Sequence, residues 1–380
     1  MASLYLHIPF CERKCIYCDF YSVETLLHAD LFLSALQTEI DQYRSFASRE
    51  EVESVYFGGG TPSLLEPSQL EAILAHLHRV FRISVGVEVT VEANPGTVER
   101  DKLAAYRHLG VNRLSLGIQS FHEQDLRFLG RIHDSVQAMR CVEDARAAAF
   151  DNVSIDLIYS LPHQTTEAWR DNLRRAVDLS PDHISAYSLI VENNTPLARL
   201  VANRMVTPNP IESEAELYAG TIEFLERSGF EHYEVSSYAM PGFRSRHNSA
   251  YWTHANYLGF GPSAHSFWKE PGDSRGRRWA NIANISTYVE RLRMRELPVV
   301  FEETVTSNEL VNERIFLGLR STGVDLIRLE EEFGIDLLAA RSSIIQGMVE
   351  EQLAKLETGL LRLTSKGFLL CDEIAGRMMI

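Results

Sequence analysis

The chain has 380 residues, 45% of them hydrophobic and 23% charged, which is ordinary for a globular protein of two or three domains. Lysine and arginine number 37 against 52 aspartate and glutamate residues, so the net charge is −15. This acidity disfavours a nucleic-acid partner, because binding phosphates requires a basic surface. No apolar run reaches the roughly 18 residues that a transmembrane helix needs.

The first residues already belong to folded structure. Residues 4–8 read as a strand, and a cysteine-containing loop follows directly. This arrangement leaves no room for a cleavable signal peptide. Free thiols so close to the start of the chain suit a reducing compartment. We therefore expect a cytoplasmic protein.

Three of the five cysteines, Cys11, Cys15 and Cys18, are spaced C-x3-C-x2-C directly after the first strand. Thiolates ligate iron–sulfur clusters, and three of them can hold three irons of a cubane while the fourth iron stays open to a chelating ligand. A structural zinc site usually needs a second ligand pair, which is absent here. Three clustered cysteines cannot all form disulfides. The spacing therefore favours a [4Fe–4S] cluster.

Strands and helices then alternate along the chain. The pattern predicts strands over 52–57, 86–92, 113–119, 153–158 and 183–189, and helices over 27–47, 67–81, 99–108, 123–129, 134–149, 167–178 and 212–228. Six successive β–α units imply an α/β fold with a parallel sheet that closes only part of an eightfold barrel.

Functional residues of parallel barrels lie at the carboxyl ends of the strands. The cysteines follow strand one and the glycines 58–60 follow strand two, while Glu92 and Gln119 end strands three and four. Asp156 lies late in strand five. Packing alone does not account for five such features at one barrel mouth.

The last part of the chain has a different pattern. We expect a charged connector over 270–300, helices over 309–318, 325–333 and 337–356, and a hairpin formed by 360–364 and 367–371. Helices followed by a hairpin predict a smaller, mainly helical, winged-helix-like domain. Because the chain is acidic, we interpret it as a substrate lid or docking module. The expected domains are 1–235 (barrel), 236–300 (barrel-closing segment) and 301–380.

The segment Tyr5-Leu6-His7-Ile8-Pro9-Phe10-Cys11, with the two later cysteines, resembles the signature of radical S-adenosylmethionine (SAM) proteins. It is most similar to the branch that contains the oxygen-independent coproporphyrinogen oxidases (HemN) and the HemW-type haem chaperones. The resemblance implies a six-stranded partial barrel and a SAM molecule whose amino and carboxylate groups chelate the open iron. It also implies that the reduced cluster cleaves SAM to a 5′-deoxyadenosyl radical.

The resemblance also assigns roles to residues near the barrel mouth. The SAM-binding positions that it implies are Tyr5, Gly59, Gly60, Thr61, Glu92, Gln119, Arg131 and Asp156. The glycines and Thr61 match the segment that binds the methionyl end of SAM, and Tyr5 flanks the cluster. Gln119, Arg131 and Asp156 match positions that contact a second SAM in the coproporphyrinogen oxidases. Without the family, the glycines could form a flexible turn and the acids could be caps or salt-bridge partners; the number of SAM molecules stays open.

A second motif lies within residues 246–252. His247, Asn248, Tyr251 and Trp252 match the H-N-x-x-Y-W pattern that is associated with haem binding in the HemW branch. An imidazole can ligate haem iron, and aromatic rings can pack on the macrocycle. The alternative is a polar turn whose aromatic residues close the open side of the barrel. Many family members carry a cysteine where this chain has Ser245, so a thiolate cannot hold haem here.

Phe20 separates the two branches. The coproporphyrinogen oxidases carry a fourth cysteine two residues after the third, and this chain has Phe20 there. Together with the H-N-x-x-Y-W segment, this favours a haem-trafficking protein that delivers haem to acceptor haem proteins. A coproporphyrinogen III oxidase and another radical SAM enzyme are the alternatives, because fold does not fix function. The acceptor, the haem ligands, homodimer formation and transient contact with a membrane surface stay open.

Overall fold

The computed structural model describes residues 1–46 and 49–380. Its largest element is a mixed sheet of twelve strands, six of which run parallel in chain order. These strands are β1 (Ala2–Ile8), β2 (Val52–Gly59), β3 (Ile83–Ala93), β4 (Arg113–Gln119), β5 (Val153–Tyr159) and β6 (His183–Ser188). The connecting helices are α1 (Ala29–Gln42), α2 (Pro67–Val80), α3 (Arg100–His108), α4 (Glu123–Leu129), α5 (Ser135–Ala147) and α6 (Thr166–Asp178).

Most residues of β1, β4 and β5 are buried, as expected for strands in the middle of a parallel sheet. In β4 only the last residue, Gln119, is not fully buried. Helices cover the outer face of the sheet, as βαβ crossovers require. Polar and glycine residues alternate on the inner face. The predicted partial (β/α)6 barrel is thus confirmed.

The sheet continues beyond the barrel at both edges. The next elements are α7 (Pro196–Ala202), α8 (Ile211–Arg227), β7 (Glu231–Glu234), β8 (Ser237–Ala239), α9 (Arg246–Trp252), β9 (Asn256–Phe260), β10 (His265–Trp268), β11 (Gly276–Asn281), α10 (Ile285–Arg293) and β12 (Val299–Val305). Strand β9 pairs in parallel with β1, and β10 to β12 extend that edge in antiparallel fashion. Strands β8 and β7 extend the edge at β6.

The predicted connector over 270–300 is wrong, because this stretch contains β11, α10 and the start of β12. Its charges face outward while aromatic side chains between them are buried. Trp279 donates to the Tyr43 hydroxyl at 2.8 Å. Tyr288 donates to the buried carboxylate of Glu39 at 2.5 Å. These contacts fix the segment against α1, which ends at Gln42, earlier than predicted; residue 47 of that predicted helix lies outside the described residues.

The C-terminal part forms a separate small sheet with helices around it. Its elements are α11 (Ser307–Leu319), β13 (Val324–Asp325), α12 (Leu326–Phe333), α13 (Leu337–Ala340), α14 (Ser342–Glu350), β14 (Ala354–Glu357), β15 (Leu360–Leu363), α15 (Ser365–Phe368) and α16 (Cys371–Met378). The strand order is β13-β15-β14. This arrangement confirms the winged-helix-like domain.

Two predictions inside this domain are wrong. Residues 354–356 are a strand and not the end of a helix, because Thr358 and Gly359 both have positive φ and form a tight two-residue turn between β14 and β15. Residues 367–371 are not a strand. The Thr364 hydroxyl accepts from Gly367 N–H at 3.1 Å and starts a helix there.

Across the described ranges, 1–46 and 49–380, no helix is both long and apolar enough to cross a membrane.

Candidate cluster and SAM site

The three cysteines lie on a loop that leaves the carboxyl end of β1. Cys11 N–H donates to Val23 O at 3.0 Å and Val23 N–H donates to Pro9 O at 2.7 Å, so the loop is closed at its base. The three thiols are free and partly exposed, and they line one cavity. Within residues 1–46 and 49–380, no three His, Cys, Asp or Glu side chains are grouped closely enough to hold a single metal ion. Three thiolates on separate irons of a cubane do not need such close grouping.

The segment after β2 holds the cluster loop in place. Gly60 N–H donates to Ile8 O at 2.8 Å, and Thr61 N–H donates to Phe10 O at 2.7 Å. Gly59 has a φ of +107°, and a Cβ there would lie 2.6 Å from the His7 ring. Only glycine permits this backbone and this contact. The glycines are therefore required by packing, in addition to any role toward a ligand.

Arg131 connects the loop to the barrel. Its Nη1 donates to Cys15 Sγ at 3.3 Å, and its Nη2 donates to Gly117 O at 2.7 Å and to the side chain of Asn94. The guanidinium thus places a positive charge 3.3 Å from one of the three candidate ligand sulfurs. Burial raises the pKa of Cys18 to about 11, so its thiolate needs a nearby positive charge. The irons of a cluster supply such charge, and this donor set fits a [4Fe–4S] cluster.

A cavity of about 410 Å³ runs from the cysteines into the barrel, within the usual range for small-molecule sites. It brings together most of the predicted site residues, namely Cys11, Cys15, Cys18, Gly59, Gly60, Thr61, Glu92, Gln119, Arg131, Asp156 and Asn248. Residues from six different strands or loops thus meet in one space that is large enough for a nucleoside-sized ligand.

The carboxyl groups in this cavity are buried and only partly neutralised. Glu92 accepts from the Tyr56 hydroxyl at 2.8 Å and from Gly59 N–H at 3.2 Å. Burial raises its pKa to about 7. Burial also raises the pKa of Asp156, which accepts from the Ser115 hydroxyl at 3.0 Å. Buried carboxylates of this kind are suited to a cationic ligand such as a sulfonium.

Gln119 has a left-handed backbone, with a φ of +68°. Few non-glycine residues adopt this conformation, and within a strand it changes the direction of the backbone. A local irregularity of the β4–β5 pairing, between Gly117 and Gln119, accompanies it. The strand end is thus bent where the Gln119 side chain meets the cavity.

Sequence reasoning missed several lining residues, above all Arg113. Its guanidinium is buried, lines the cavity and has a buried Nε without a hydrogen-bond partner among the described residues. Arg113, Ser115, Gly117 and Gln119 all line the cavity, as alternate residues of one strand must. This period of two along β4 is the signal that could have revealed Arg113.

The opposite end of the barrel is closed by α9, the helix that carries the H-N-x-x-Y-W motif. Glu88, in the middle of β3 and opposite Ser54 of β2, accepts from the backbone N–H groups of Arg246 and His247 at 3.1 and 3.0 Å. His247 Nδ1 bonds Ser54 Oγ at 3.0 Å, and its Nε2 bonds the Tyr251 hydroxyl at 3.1 Å. This helix therefore forms the floor of the barrel, with both imidazole nitrogens of His247 occupied.

The residues predicted to bind haem are consequently divided among three environments. Asn248 faces the barrel cavity, His247 and Tyr251 are held in the floor, and Trp252 lines a different cavity beside the C-terminal domain. Burial lowers the pKa of His247 to about 3, so its imidazole is neutral. Ligation of haem iron by His247 stays a prediction, and it requires one of the two hydrogen bonds to break.

Tyr5 is likewise separated from the cavity. Its hydroxyl bonds His7 Nδ1 at 3.2 Å, and its ring stacks against Tyr56 and His247 at centroid distances of 6.2 and 6.3 Å. A Cβ on Gly58 would lie 2.9 Å from the Tyr5 ring. Tyr5 therefore packs against the glycine segment, and its predicted contact with SAM would be indirect in this arrangement.

Comparisons with known proteins agree with this architecture. The profile of the "Radical SAM superfamily" matches residues 5–176, and that of the "HemN C-terminal domain" matches residues 305–370. A Bacillus subtilis protein named "Heme chaperone HemW" is 34% identical over 100% of this chain and 99% of its own length. The chain belongs to the HemW family of radical SAM proteins.

The chain also has a relative in a vertebrate. A Danio rerio relative, named "Radical S-adenosyl methionine domain-containing protein 1, mitochondrial", is 31% identical over 100% of this chain and 87% of its own length. Among solved structures, coproporphyrinogen III oxidase (HemN) from Escherichia coli superposes with a TM-score of 0.83 and 25% identity, over 100% of this chain and 90% of that chain. The HemW-family chain thus has the fold of HemN over 90% of the HemN chain. Its family implies a [4Fe–4S] cluster and SAM.

Proposed function

We propose that this HemW-family protein binds haem and delivers it to acceptor haem proteins, while it holds a [4Fe–4S] cluster and SAM. The observation that carries the proposal is Phe20, which stands where the coproporphyrinogen oxidases have a fourth cysteine and whose ring is 63% exposed at the edge of the cavity. A phenyl ring cannot replace a thiolate. Full-length relatives that are named haem chaperones support the same function.

The barrel mouth would hold the cofactors. Cys11, Cys15 and Cys18 would ligate three irons, and Arg131 would stabilise the Cys15 thiolate. When bound and reduced, the cluster supplies the electron that cleaves SAM. Among the other predicted SAM residues, Glu92 and Asp156 would offer carboxylates to the sulfonium. The glycines 59–60, whose N–H groups already donate to Glu92 and Ile8, would border the ligand closely because they have no side chains.

Haem would bind on the side of α9, where the H-N-x-x-Y-W segment meets the C-terminal domain. Trp252 is the member of that motif which is partly exposed in a cavity outside the barrel.

No basic face for nucleic acid is expected on so acidic a chain. The free thiols of the cluster loop suit the reducing cytoplasm.

Anaerobic haem titration of the cluster-reconstituted protein, followed by Soret absorbance, tests the proposal. We expect stoichiometric binding and transfer of the haem to an apo-haem protein such as apomyoglobin. A titration of the His247→Ala variant runs alongside, with its melting temperature as a check on folding. Absence of haem binding by the wild-type protein would remove the proposed function.

The rival function is oxidative decarboxylation of coproporphyrinogen III. Anaerobic incubation with coproporphyrinogen III, SAM and a reductant tests it directly. We expect no protoporphyrinogen IX above the level of a Cys15→Ser control. Turnover above that control would contradict a role restricted to haem delivery, whereas SAM cleavage alone is compatible with both functions.

A further inference from the structure

A second cavity lies where the floor helix α9 meets the C-terminal domain. Its volume is about 210 Å³, and it is separate from the barrel cavity. Trp252 lines it from α9, and Phe333, Leu329 and Leu360 line it from the C-terminal domain. Two aromatic rings and two aliphatic side chains thus form an apolar wall that is open to solvent.

The rim of this cavity is basic on a chain whose net charge is −15. Arg328 and Arg362 line it and are exposed. Within the part of the chain that the structure describes, the side chain of Arg328 takes part in no hydrogen bond and no ion pair, and the same is true of Arg362. Free guanidinium groups beside an apolar wall are available to bind carboxylates.

The other charged groups that face the cavity already have partners. Arg314 pairs with Glu332 at 3.4 Å, and Glu332 also accepts from Lys269 at 3.0 Å. Asp325 caps α12 by accepting from Arg328 N–H at 2.9 Å. The lining thus carries three arginines against the carboxylates of Asp325 and Glu332, and Arg328 and Arg362 are the two arginines whose side chains have no partner among the described residues.

An apolar wall with two free guanidinium groups at its rim suits a planar apolar ligand that carries two carboxylates on one edge. We propose that this cavity binds the propionate edge of haem, with the macrocycle against Trp252 and the two propionates on Arg328 and Arg362. This inference rests on the proposed function. A site of about 210 Å³ is below the range for an entire ligand of this size, so it takes one edge.

Recognition in this cavity does not involve the iron. Among the residues that the structure describes, no histidine, cysteine, methionine or tyrosine lines this cavity, and these are the side chains that ligate haem iron. Metal-free protoporphyrin IX, which has the same two propionates, is therefore held by the same two arginines. Esterified propionates are not held by the arginines, because an ester has no charge for a guanidinium to bind.

The experiment compares two double variants of the full-length, cluster-reconstituted protein. Arg328→Gln with Arg362→Gln removes the rim charges. Arg170→Gln with Arg293→Gln is the matched control, because both of these arginines are exposed and lie outside the cavity. Each protein is titrated with haem, metal-free protoporphyrin IX and haem dimethyl ester at low and moderate salt.

We expect the rim variant to bind haem and metal-free protoporphyrin IX about tenfold more weakly than wild type, with a smaller loss at higher salt. The control variant should stay within about twofold. Haem dimethyl ester should bind equally weakly to wild type and rim variant. This pattern would establish the propionate site.

Two results would overturn the inference, and they differ from failure of the proposed function. If wild type binds haem and the rim variant binds it as well as the control does, the cavity is not the site. If the rim variant loses haem but keeps metal-free protoporphyrin IX, the arginines act through the iron and not through the propionates. If wild type binds no haem at all, the proposed function itself fails.

Discussion

Glu92 and Glu88 lie four residues apart on the same face of β3, at opposite ends of the barrel. Glu92, at the mouth, borders the large cavity and accepts from one backbone N–H and one tyrosine hydroxyl. Glu88, at the floor, accepts from two backbone N–H groups of α9 and does not line that cavity. The two residues are chemically identical, so their positions alone give them different roles.

The barrel mouth and the barrel floor as a whole differ in the same way as these two residues. At the mouth, the thiols and carboxyl groups line an open cavity that they share with Arg113 and Arg131, so they remain accessible to a cofactor. At the floor, Ser3, Ser54, His247 and Tyr251 bond one another in a continuous buried chain. A closed, buried hydrogen-bond network stabilises a fold, whereas charged groups that line a cavity can bind a ligand. We therefore interpret the mouth as a binding site and the floor as a structural closure.

The largest expected effect concerns the mouth. Cys15→Ser should abolish cluster assembly, because a serine hydroxyl is a poor ligand for iron in a cubane and the Arg131 contact would lose its thiolate. Iron and sulfide analysis after anaerobic reconstitution measures this. Cys371→Ser, far from the mouth, is the control and should retain full iron content. Normal iron content in Cys15→Ser would show that the loop does not ligate a cluster.

A substitution in the floor should lower the stability of the protein and leave its ligand binding unchanged. Glu88→Ala leaves the N–H groups of Arg246 and His247 at the start of α9 without this acceptor, which should cost roughly 2–4 kcal/mol. The melting temperature of the apoprotein should fall by about 5 °C. The exposed Glu71→Ala is the matched control and should change little. An unchanged melting temperature for Glu88→Ala would contradict the structural role of the floor.

The pH dependence of SAM affinity tests whether the carboxylate of Glu92 binds the sulfonium of SAM. Burial raises the pKa of Glu92 to about 7, so its carboxyl group is mostly protonated at pH 6 and mostly ionised at pH 8. The ionised form attracts the sulfonium of SAM. The affinity of wild type relative to Glu92→Gln should therefore rise by roughly fivefold to tenfold from pH 6 to pH 8. Parallel pH profiles for the two proteins, measured by anaerobic calorimetry, would exclude Glu92 as the charge partner.

The smallest effect is expected at Ser245, the position where many relatives have cysteine. Ser245 is fully buried, and its hydroxyl caps α9 by accepting from Asn248 N–H at 3.2 Å. Ser245→Cys should weaken this cap by about 1 kcal/mol and leave haem affinity within twofold. A thiolate-type Soret spectrum in this variant would show that the floor opens to haem.

Much of the mouth could be predicted from the sequence because its chemistry is local. Cys11, Cys15 and Cys18 lie within eight residues, and Gly59 to Thr61 follow a strand directly. Alternating strand and helix patterns then require the carboxyl ends of the strands to meet. The sequence accordingly predicted Glu92, Gln119 and Asp156 at this mouth, and all three line the same cavity.

The floor could not be predicted in this way, because its partners are far apart in the chain. Ser54 and His247 are separated by 193 residues, and Glu88 and His247 by 159. A motif shows which residues are present but not which atoms they bond. The sequence by itself thus determined the barrel, the cluster loop and the family. Only the tertiary structure decided that His247 closes the barrel floor while Trp252 faces a separate cavity, because burial and hydrogen bonding depend on contacts between distant segments.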